Sequence, residues 1–561
     1  MTSVDLRGTP VSAGIGYGPV VTLAAAVPVP PEGERHAGDA EAEIARAAQA
    51  LATTADTLEA RGERAGGPAR DVLSAQALMA RDPSLADGVA ERVRAGTSAP
   101  RAVYEAFGAF RELLAGAGEY LAGRVADLDD VRDRTIAHLL GVPMPGVPED
   151  RTEPFVLAAR DLAPADTALL DPGTVLAFVT EQGGPTSHTA IIARSMGVPA
   201  VVACPGAADL AAGTLVLVDG TTGLVRTEPD PAEAERARLA GQALRAAASA
   251  VTGAGRTADG HEVPLLANVG GPKDVPMAVE QGAEGVGLYR TEFLFLDRET
   301  APSEEEQVAA YAEVLNAFPG GRVVVRVLDA GADKPLAFLP APDAEPNPAL
   351  GVRGARMLER HPDVLTGQLR ALARAAEGTS AKLMVMAPMI TDAEEGRRFV
   401  AACRAAGLTG DAGVMVEVPA AALRAADLAA EVDFFSLGTN DLTQYTCAAD
   451  REVGALNRLQ DPWRPAVLDL VALTASGAGG KSCGVCGEAA ADPVLACVLV
   501  GLGVTSLSMG AASLPLVRLA LSRHTYDQCV RAAAAARAAT TPDGARSAAR
   551  GELPGLAEVG L

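Results

Sequence analysis

The sequence predicts an α/β multidomain protein: a small α/β domain with an inserted helical bundle, followed by a (β/α)₈ barrel. The chain has 561 residues, well beyond what one hydrophobic core organises, so several domains are expected. Short apolar runs near the N-terminus give way to a long stretch with helical spacing and then return. In residues 253–561, eight apolar runs alternate with helical stretches, which is typical of a (β/α)₈ barrel.

Composition and charge exclude several classes of protein. Hydrophobic residues make up 48% of the chain, and no apolar run reaches ~18 residues, so we expect a globular protein without membrane insertion. The 71 acidic and 48 basic residues give a net charge of -23, which argues against nucleic-acid binding. The seven cysteines do not form the pattern of a disulfide framework. Because the N-terminal segment does not resemble a secretory signal, the expected location is cytoplasmic.

The N-terminal half is predicted to be one α/β domain built from two segments. Residues 1–35 carry short apolar runs punctuated by Gly and Pro, which are typical of strands and turns. In residues 36–142, apolar residues recur every seven positions, as on one face of a long helix. Strand-like runs return in residues 143–225, so the helical bundle is expected to be an insert.

A connector, the barrel and a tail complete the predicted organisation. Residues 226–252 contain two prolines followed by Ala, Arg and Glu, which indicates a helical linker that can act as a hinge. The Ala-rich C-terminus is expected to end in a helix and a loose tail. The eight apolar runs of the barrel are 264–269, 285–289, 323–329, 383–389, 414–418, 434–438, 483–487 and 506–510.

Polar residues gather where these apolar runs end. In a (β/α)₈ barrel, the chemistry lies at the carboxyl ends of the strands. The residues that end or follow the second, third, fifth, sixth and seventh runs are Arg290, Asp329, Glu417, Asn440 with Asp441, and Cys486. The sequence therefore predicts an active site at the carboxyl-terminal rim of the barrel.

The stretch GGPTSHTAIIARSMGVPAVV, residues 183–202, places one of only six histidines at the start of a predicted helix. Thr186 or Ser187 can cap this helix, and Gly197 is its predicted stop. Free N–H groups and the positive end of the helix dipole favour an anion beside His188. A lone histidine is usually structural, but the two glycines and the hydroxyl neighbours favour a histidine that carries a phosphoryl group.

The segment GGPTSHTAIIAR resembles the phosphohistidine motif of the phosphoenolpyruvate-utilising enzymes. Six barrel segments are similar, in order and spacing, to enzyme I of the sugar phosphotransferase system: GVGLYRTEFLF, RVLDAGADKP, NPALGVRGARM, VMVEVPAA, FFSLGTNDLTQYTCAADR and CGVCGEAAADP. The resemblance covers essentially the whole chain. It implies a swivelling α/β phosphohistidine domain, an inserted helical subdomain that binds the phosphocarrier HPr, and a C-terminal TIM barrel that binds phosphoenolpyruvate and forms a homodimer.

The resemblance also implies an activity, that of a phosphoenolpyruvate-dependent protein-histidine phosphotransferase. His188 would take the phosphoryl group of phosphoenolpyruvate and pass it to a histidine of HPr, as the first step of sugar uptake. Cys486 would deliver the proton to the enolate carbon as pyruvate forms.

The remaining rim residues are expected to bind phosphoenolpyruvate and Mg²⁺. A guanidinium matches both the phosphate and the carboxylate of phosphoenolpyruvate. Glu417 and Asp441 are the expected Mg²⁺ ligands, since Mg²⁺ commonly takes one or two carboxylates and completes its shell with substrate and water. The expected substrate-binding residues are Arg290, Arg326, Asn440 and Arg451, with Lys334 nearby and Arg353 as a weaker candidate.

Several alternatives were weighed against this interpretation. The CGVC segment, Cys483 to Cys486, could indicate a zinc or redox site, but the sequence shows no evident second pair of Cys or His residues to complete a zinc site. GAGGKS, residues 477–482, fails as a P-loop because Ala475 stands where the motif needs Gly. A dikinase-like enzyme would need a nucleotide domain. A non-catalytic sensor would be expected to have lost Glu417, Asp441 or Cys486.

Overall fold

A computed structural model of the protein describes residues 4–12, 14–23, 27–65, 67–116, 125–142, 153–162, 170, 173–184, 188–296, 298–332, 334–339, 345–451 and 453–559. The chain divides into two compact units, Met1–Ala234 and Glu235–Leu561. Within the described ranges, no helix is both long and apolar enough to cross a membrane.

The first unit contains one sheet whose strands come from both predicted segments. The strands lie in the order β1-β8-β7-β3-β4-β5-β6-β2, with β3 to β6 parallel and β7 and β8 antiparallel. Apolar side chains such as Val156, Phe178 and Val201 are fully buried on the two faces of the sheet. The strands are β1 Asp5–Arg7, β2 Thr9–Ser12, β3 Ile15–Thr22, β4 Phe155–Ala159, β5 Val175–Thr180, β6 Ala200–Val202, β7 Leu215–Asp219 and β8 Leu224–Thr227.

A helical bundle is inserted between β3 and β4. Leu58, Val103 and Val131 are buried in its core. Its first helix begins at Ala40, because Asp39 caps it by accepting the Ala42 N–H at 3.2 Å. The described helices are α1 Ala40–Ala65, α2 Gly67–Ala80, α3 Pro83–Arg94, α4 Ala99–Gly116 and α5 Val125–Leu140, and α6 His188–Met196 follows β5.

The second unit is a closed barrel of eight parallel strands, which confirms the predicted α/β multidomain class. Each strand contains or overlaps one of the eight apolar runs. The strands are β9 Leu265–Val269, β10 Gly285–Arg290, β11 Arg322–Arg326, β12 Lys382–Ala387, β13 Asp411–Val416, β14 Phe435–Leu437, β15 Cys483–Val485 and β16 Ser506–Met509, with β16 pairing back to β9.

Helices connect the barrel strands and cover their outer faces. Helix α7 contains the boundary between the two units and lies within the predicted linker. The helices are α7 Pro231–Ala250, α8 Val275–Glu280, α9 Glu292–Phe295, α10 Glu304–Asn316, α11 Ala355–Arg360, α12 Pro362–Ala376, α13 Ala393–Ala405, α14 Pro419–Leu423, α15 Ala425–Leu428, α16 Thr439–Cys447, α17 Pro465–Gly477, α18 Pro493–Gly501, α19 Leu514–Ser522, α20 Tyr526–Ala538, α21 Pro542–Glu552 and α22 Gly555–Val559.

The expectation of a loose C-terminal tail is wrong for the residues that the structure describes. Helices α21 and α22 continue to Val559, and Ala545, Leu553 and Leu556 are buried against the barrel core. Their apolar side chains are few, but they recur on one face. The Ala-rich composition hid this amphipathic pattern.

Candidate active site

Charged side chains at the carboxyl end of the barrel form one connected cluster around Asp329. Asp329 follows β11 and pairs with Arg353 at 2.8 Å, Arg326 at 3.2 Å and Lys334 at 3.8 Å. Only 1% of the surface of Asp329 and of Arg353 is exposed. These three cations outweigh burial and hold the pKa of the Asp329 carboxyl well below its ordinary value. Asp329 therefore stays ionised and fixes the cations around it.

Arg326, the last residue of β11, is held on two sides. Its guanidinium pairs with Glu292 as well as with Asp329, and the same Glu292 Oε1 accepts the Asp329 N–H at 3.3 Å. Glu292 begins α9 and is buried. A planar guanidinium that forms ion pairs with two carboxylates has little freedom to reorient. One edge of the Arg326 guanidinium is therefore pre-positioned for a ligand.

Buried polar residues support this arrangement from behind the rim. Gln368 of α12 is fully buried, donates to Thr291 Oγ1 at 3.0 Å and accepts the Leu328 N–H at 3.0 Å. Thr291 Oγ1 in turn donates to the carbonyl of Arg326 at 2.9 Å. The loops that follow β10 and β11 are thereby tied together.

Glu417 and Asp441 lie at the ends of neighbouring strands, as the sequence predicts. Glu417 follows β13, and its Oε1 accepts the Met389 N–H at 2.7 Å. Asp441 lies in the first turn of α16, with its two oxygens 3.4 Å from Arg353 and 3.4 Å from Arg451. Burial, together with the negative charges of Asp441 and Asp329, raises the pKa of Glu417 to about 8.

The Glu417–Asp441 pair fits a divalent cation. Glu417 Oε2 is buried and has no hydrogen-bond partner, which costs free energy unless a cation or a proton satisfies it. Among the described residues, no three His, Cys, Asp or Glu side chains are grouped so that they could hold an ion by themselves. An ion here would complete its shell with substrate and water, which suits Mg²⁺.

Cys486 follows β15 and is 4% exposed. Its thiol accepts a hydrogen bond from Ser436 Oγ at 3.2 Å and lies 3.5 Å from the carbonyl of Leu437. Its own carbonyl accepts from Asn268 Nδ2 at 3.0 Å. Burial raises the pKa of the Cys486 thiol to about 11, so the thiol keeps its proton at neutral pH.

The other predicted rim residues lie on the same edge but are less enclosed. Arg290 ends β10, is exposed, and stacks 5.4 Å from the ring of Phe293. Asn440 uses its Oδ1 to accept the Glu488 N–H at 3.0 Å, so its Nδ2 is the donor that a ligand oxygen would meet. Arg451 is half-buried, and its backbone N–H donates a hydrogen bond to Gln444 Oε1 at 2.9 Å.

Sequence reasoning underrated or missed several residues of this cluster. Arg353 was ranked as the weakest arginine, yet it is buried between Asp329 and Asp441. Glu292 lies in the quoted segment GVGLYRTEFLF, and an acid two residues beyond a strand-ending Arg was a usable signal. Gln368 lies mid-helix, and no local pattern distinguishes it.

His188 is the first residue of α6. The helix has nine residues and ends before Gly197, whose φ of 65° is the left-handed conformation that favours glycine. Ala190 and Ala193 are buried and anchor the helix. The predicted caps, Thr186 and Ser187, lie outside the described residues, so side-chain capping beside His188 stays a prediction.

The structure argues against a metal or redox site at CGVC and against a P-loop at GAGGKS. Cys483 is buried within β15, and burial raises the pKa of its thiol to about 12, so the thiol is inert as a metal or redox ligand. GAGGKS runs from the end of α17 into β15. A P-loop runs in the opposite order, from a strand into a helix.

Family models match three parts of the chain. They are the N-terminal domain of PEP-utilising enzymes at residues 7–124, the mobile domain at residues 151–223 and the PEP-binding domain at residues 245–526. The chain belongs to the family of PEP-utilising enzymes.

Curated relatives match it over nearly its full length. The "Phosphoenolpyruvate-protein phosphotransferase" of Streptomyces coelicolor is 64% identical over 98% of this chain and 99% of that protein. Proteins of the same name from Haloferax volcanii and Bacillus subtilis are 42% and 39% identical, over 93% and 92% of this chain and 94% of each relative. The resemblance identified from the sequence motifs is confirmed.

Proposed function

We propose that the protein transfers the phosphoryl group of phosphoenolpyruvate to His188 and then to a histidine of the phosphocarrier HPr, releasing pyruvate as the first step of sugar uptake. The buried cluster at the barrel rim supports this proposal most strongly. In it, the charges of Arg326 and Arg353 act on Glu417, whose Oε2 has no hydrogen-bond partner. Such a site suits a small, highly charged anion that arrives with a divalent cation. The names of the full-length relatives agree with it.

The arginines bind both acidic groups of the substrate. Phosphoryl transfer needs cations around the phosphate oxygens and a fixed line between donor and acceptor. Arg326 is rigid because Glu292 and Asp329 hold it, whereas Arg290 and Arg451 are accessible enough to close onto a ligand. Lys334 and the Asn440 amide add further donors at the rim.

Glu417 and Asp441 are the residues that would hold Mg²⁺. When bound, the ion would supply positive charge for the phosphate and for the enolate oxygen. Glu417 would hold it as a carboxylate, although burial and the charges of Asp441 and Asp329 raise its pKa in the metal-free protein.

The chemical steps use His188 and Cys486. A nitrogen of His188 attacks phosphorus, and the bond from phosphorus to the enol oxygen breaks. The Cys486 thiol, protonated because its pKa is about 11, gives its proton to the enolate carbon, and pyruvate leaves. Phospho-His188 then passes its phosphoryl group to HPr, for which the inserted helical bundle is the docking subdomain.

His188 belongs to the first compact unit and the rim cluster to the second. Phosphoryl transfer between them requires residues 226–252 to act as a hinge. A cytoplasmic homodimer formed through the barrel completes the proposal.

The direct test incubates the protein with phosphate-labelled phosphoenolpyruvate and Mg²⁺. The expected product is a protein phosphate that is labile in acid and stable in base, and that moves to HPr on mixing. A label that never appears on the protein, or appears without Mg²⁺, would contradict the proposal.

A further inference from the structure

Three serines lie among the apolar side chains inside the barrel, where barrels of this kind are normally filled by branched apolar side chains. Ser436, Ser506 and Ser508 are at most 5% exposed. Together with Arg322 they line a cavity of about 20 Å³ within the barrel. Such a volume exceeds the roughly 10–15 Å³ that one water molecule needs, and the lining offers several hydrogen-bond partners.

Two glycines make room for these serines. A Cβ at Gly484 would lie 2.7 Å from Ser506 Oγ, and a Cβ at Gly287 would lie 2.5 Å from Ser508 Oγ. Both contacts are far closer than packed atoms allow. Hydroxyl groups therefore occupy space inside the barrel that side chains on β10 and β15 would otherwise fill.

Ser436 connects the cavity to the thiol of Cys486. Ser436 lines the cavity and also donates its hydroxyl to Cys486 Sγ at 3.2 Å. Apolar side chains pack around the thiol in the same layer, including Leu288, Met386 and Met415. Ser436 is thus the polar contact that joins the thiol to the interior of the barrel.

At the opposite end, Arg322 is the first residue of β11 and lies at the amino-terminal mouth of the barrel. It donates to Ser482 Oγ at 3.1 Å and to Ser506 Oγ at 3.5 Å, and burial lowers the pKa of its guanidinium, which the charge of Asp411 partly offsets. A groove of about 580 Å³ adjoins the cavity there, since Arg322 and Ser482 line both.

We infer that Ser436, a water molecule in the cavity and the serines beside Arg322 form a path that returns a proton to Cys486 from the amino-terminal mouth of the barrel. The inference rests on the proposed role of Cys486. When the thiol gives its proton to the enolate carbon, a thiolate remains, and pyruvate still occupies the rim side of the site. Ser436 passes its proton to the thiolate and takes one from the water, and the hydroxide that this leaves takes a proton from solvent in the groove.

Proton and charge balance along this path. One proton enters from solvent for each pyruvate that leaves, and no oxidant or reductant takes part. As protons move inward, the negative charge of the thiolate moves outward towards Arg322, whose positive charge stabilises it. Ser436 relays the proton to Cys486 and does not itself donate to the substrate.

The test separates phosphoryl transfer from proton return in the full-length enzyme with Mg²⁺, phosphoenolpyruvate and HPr. The variants are Ser436→Ala, which removes the hydroxyl at the thiol, and Ser506→Val, which places methyl groups in the cavity far from the rim. In both, the rate of His188 phosphorylation in a single turnover should equal that of the wild type. Steady-state release of pyruvate should fall about tenfold, less than the roughly 10²–10⁴-fold typical of losing a general acid outright because only the return of the proton is slowed, and its rate ratio between H₂O and D₂O should rise.

Ser522→Ala is the matched control, because Ser522 also donates one hydrogen bond, to the Leu519 carbonyl at 2.8 Å, but lies outside the barrel interior. It should change neither rate. Unchanged pyruvate release and isotope ratio in both Ser436→Ala and Ser506→Val would overturn the path. An equal fall in both rates would also overturn it, since that outcome indicates general damage to the site.

A Cys486→Ala arm distinguishes failure of the path from failure of the proposed function. If Cys486→Ala slows pyruvate release while both serine variants behave as wild type, only the path is wrong. If Cys486→Ala releases pyruvate at the wild-type rate, Cys486 is not the proton donor and the proposed proton step is wrong.

Discussion

The two compact units differ in how they assemble their chemistry. In the first, the proposed nucleophile His188 and the backbone that would stabilise a phosphoryl group belong to one short helix, α6. In the second, charged groups from the ends of β10, β11, β13 and β14 converge on Asp329 and Asp441. A phosphoryl carrier can thus be local in sequence, whereas a site that must bind two anionic groups and a cation needs residues from several strand ends.

The largest expected effect comes from replacing His188, the proposed nucleophile on α6. His188→Ala should abolish phosphorylation of the protein and leave phosphoenolpyruvate binding within about twofold, because the substrate groups lie in the other unit. Label incorporation and equilibrium binding measure the two effects. A folded variant that no longer binds phosphoenolpyruvate would show that the division between units is wrong.

Cutting the chain in the connector should separate the two activities. The N-terminal piece is expected to accept phosphate backwards from phospho-HPr and to ignore phosphoenolpyruvate. The barrel piece should bind phosphoenolpyruvate with Mg²⁺ without becoming phosphorylated. Mixing the pieces should restore little transfer, since the tether that gives His188 a high effective concentration is lost. Phosphorylation of the isolated N-terminal piece by phosphoenolpyruvate would place the donor site outside the barrel.

Within the barrel, Glu417→Gln and Asp441→Asn should each raise the Mg²⁺ concentration needed for half-maximal activity by roughly 10–100-fold, because each removes an anionic ligand. A magnesium titration at saturating phosphoenolpyruvate measures this. Glu431→Gln, a change at a half-buried turn residue before the amino-terminal end of β14, is the matched control and should titrate as the wild type does. An unchanged requirement in both rim variants would remove these residues as ligands.

Glu417 should also make the stability of the metal-free protein pH-dependent. Its folded-state pKa of about 8 lies above the ordinary 4.5, so between these values the folded state binds more protons than the unfolded state. Unfolding free energy should therefore fall as pH rises from about 5 to 8, by at most roughly 1.4 kcal/mol per pH unit. Thermal unfolding at several pH values, compared with Glu417→Gln, isolates this slope. Excess Mg²⁺ should flatten it, and a slope identical in the variant would assign it to other groups.

The smallest effect is expected on the surface of the helical insert. Asp87 and Glu91 are exposed on α3, and Asp82 caps that helix by accepting the Ser84 N–H at 2.7 Å. Neutralising all three should slow transfer to HPr by a few-fold at low salt and hardly at all at high salt, since screened surface charges act mainly on association rates. Stopped-flow transfer at two ionic strengths tests this. If rate and salt dependence do not change, HPr docks elsewhere.

Much of the fold could be predicted because it depends on local patterns. Fully apolar runs and runs that alternate with period two predict strands such as Val323–Val325. The abrupt change to helical spacing predicts the inserted helices. Both patterns arise because the buried face of a strand or helix must be apolar. A C-terminal helix was predicted, but its continuation to Val559 and its packing against the barrel were not, because alanine supports a helix without revealing which face packs.

Neighbours within a few residues fix which strand ends carry charged groups and where the histidine at the start of α6 lies, so both could be predicted from local sequence. The folded barrel was needed to show that Arg353 is central, that Glu292 pairs with Arg326, and that Ser436 contacts the thiol of Cys486. Those contacts join residues tens of positions apart. They depend on strand register and barrel closure, which no local spacing encodes.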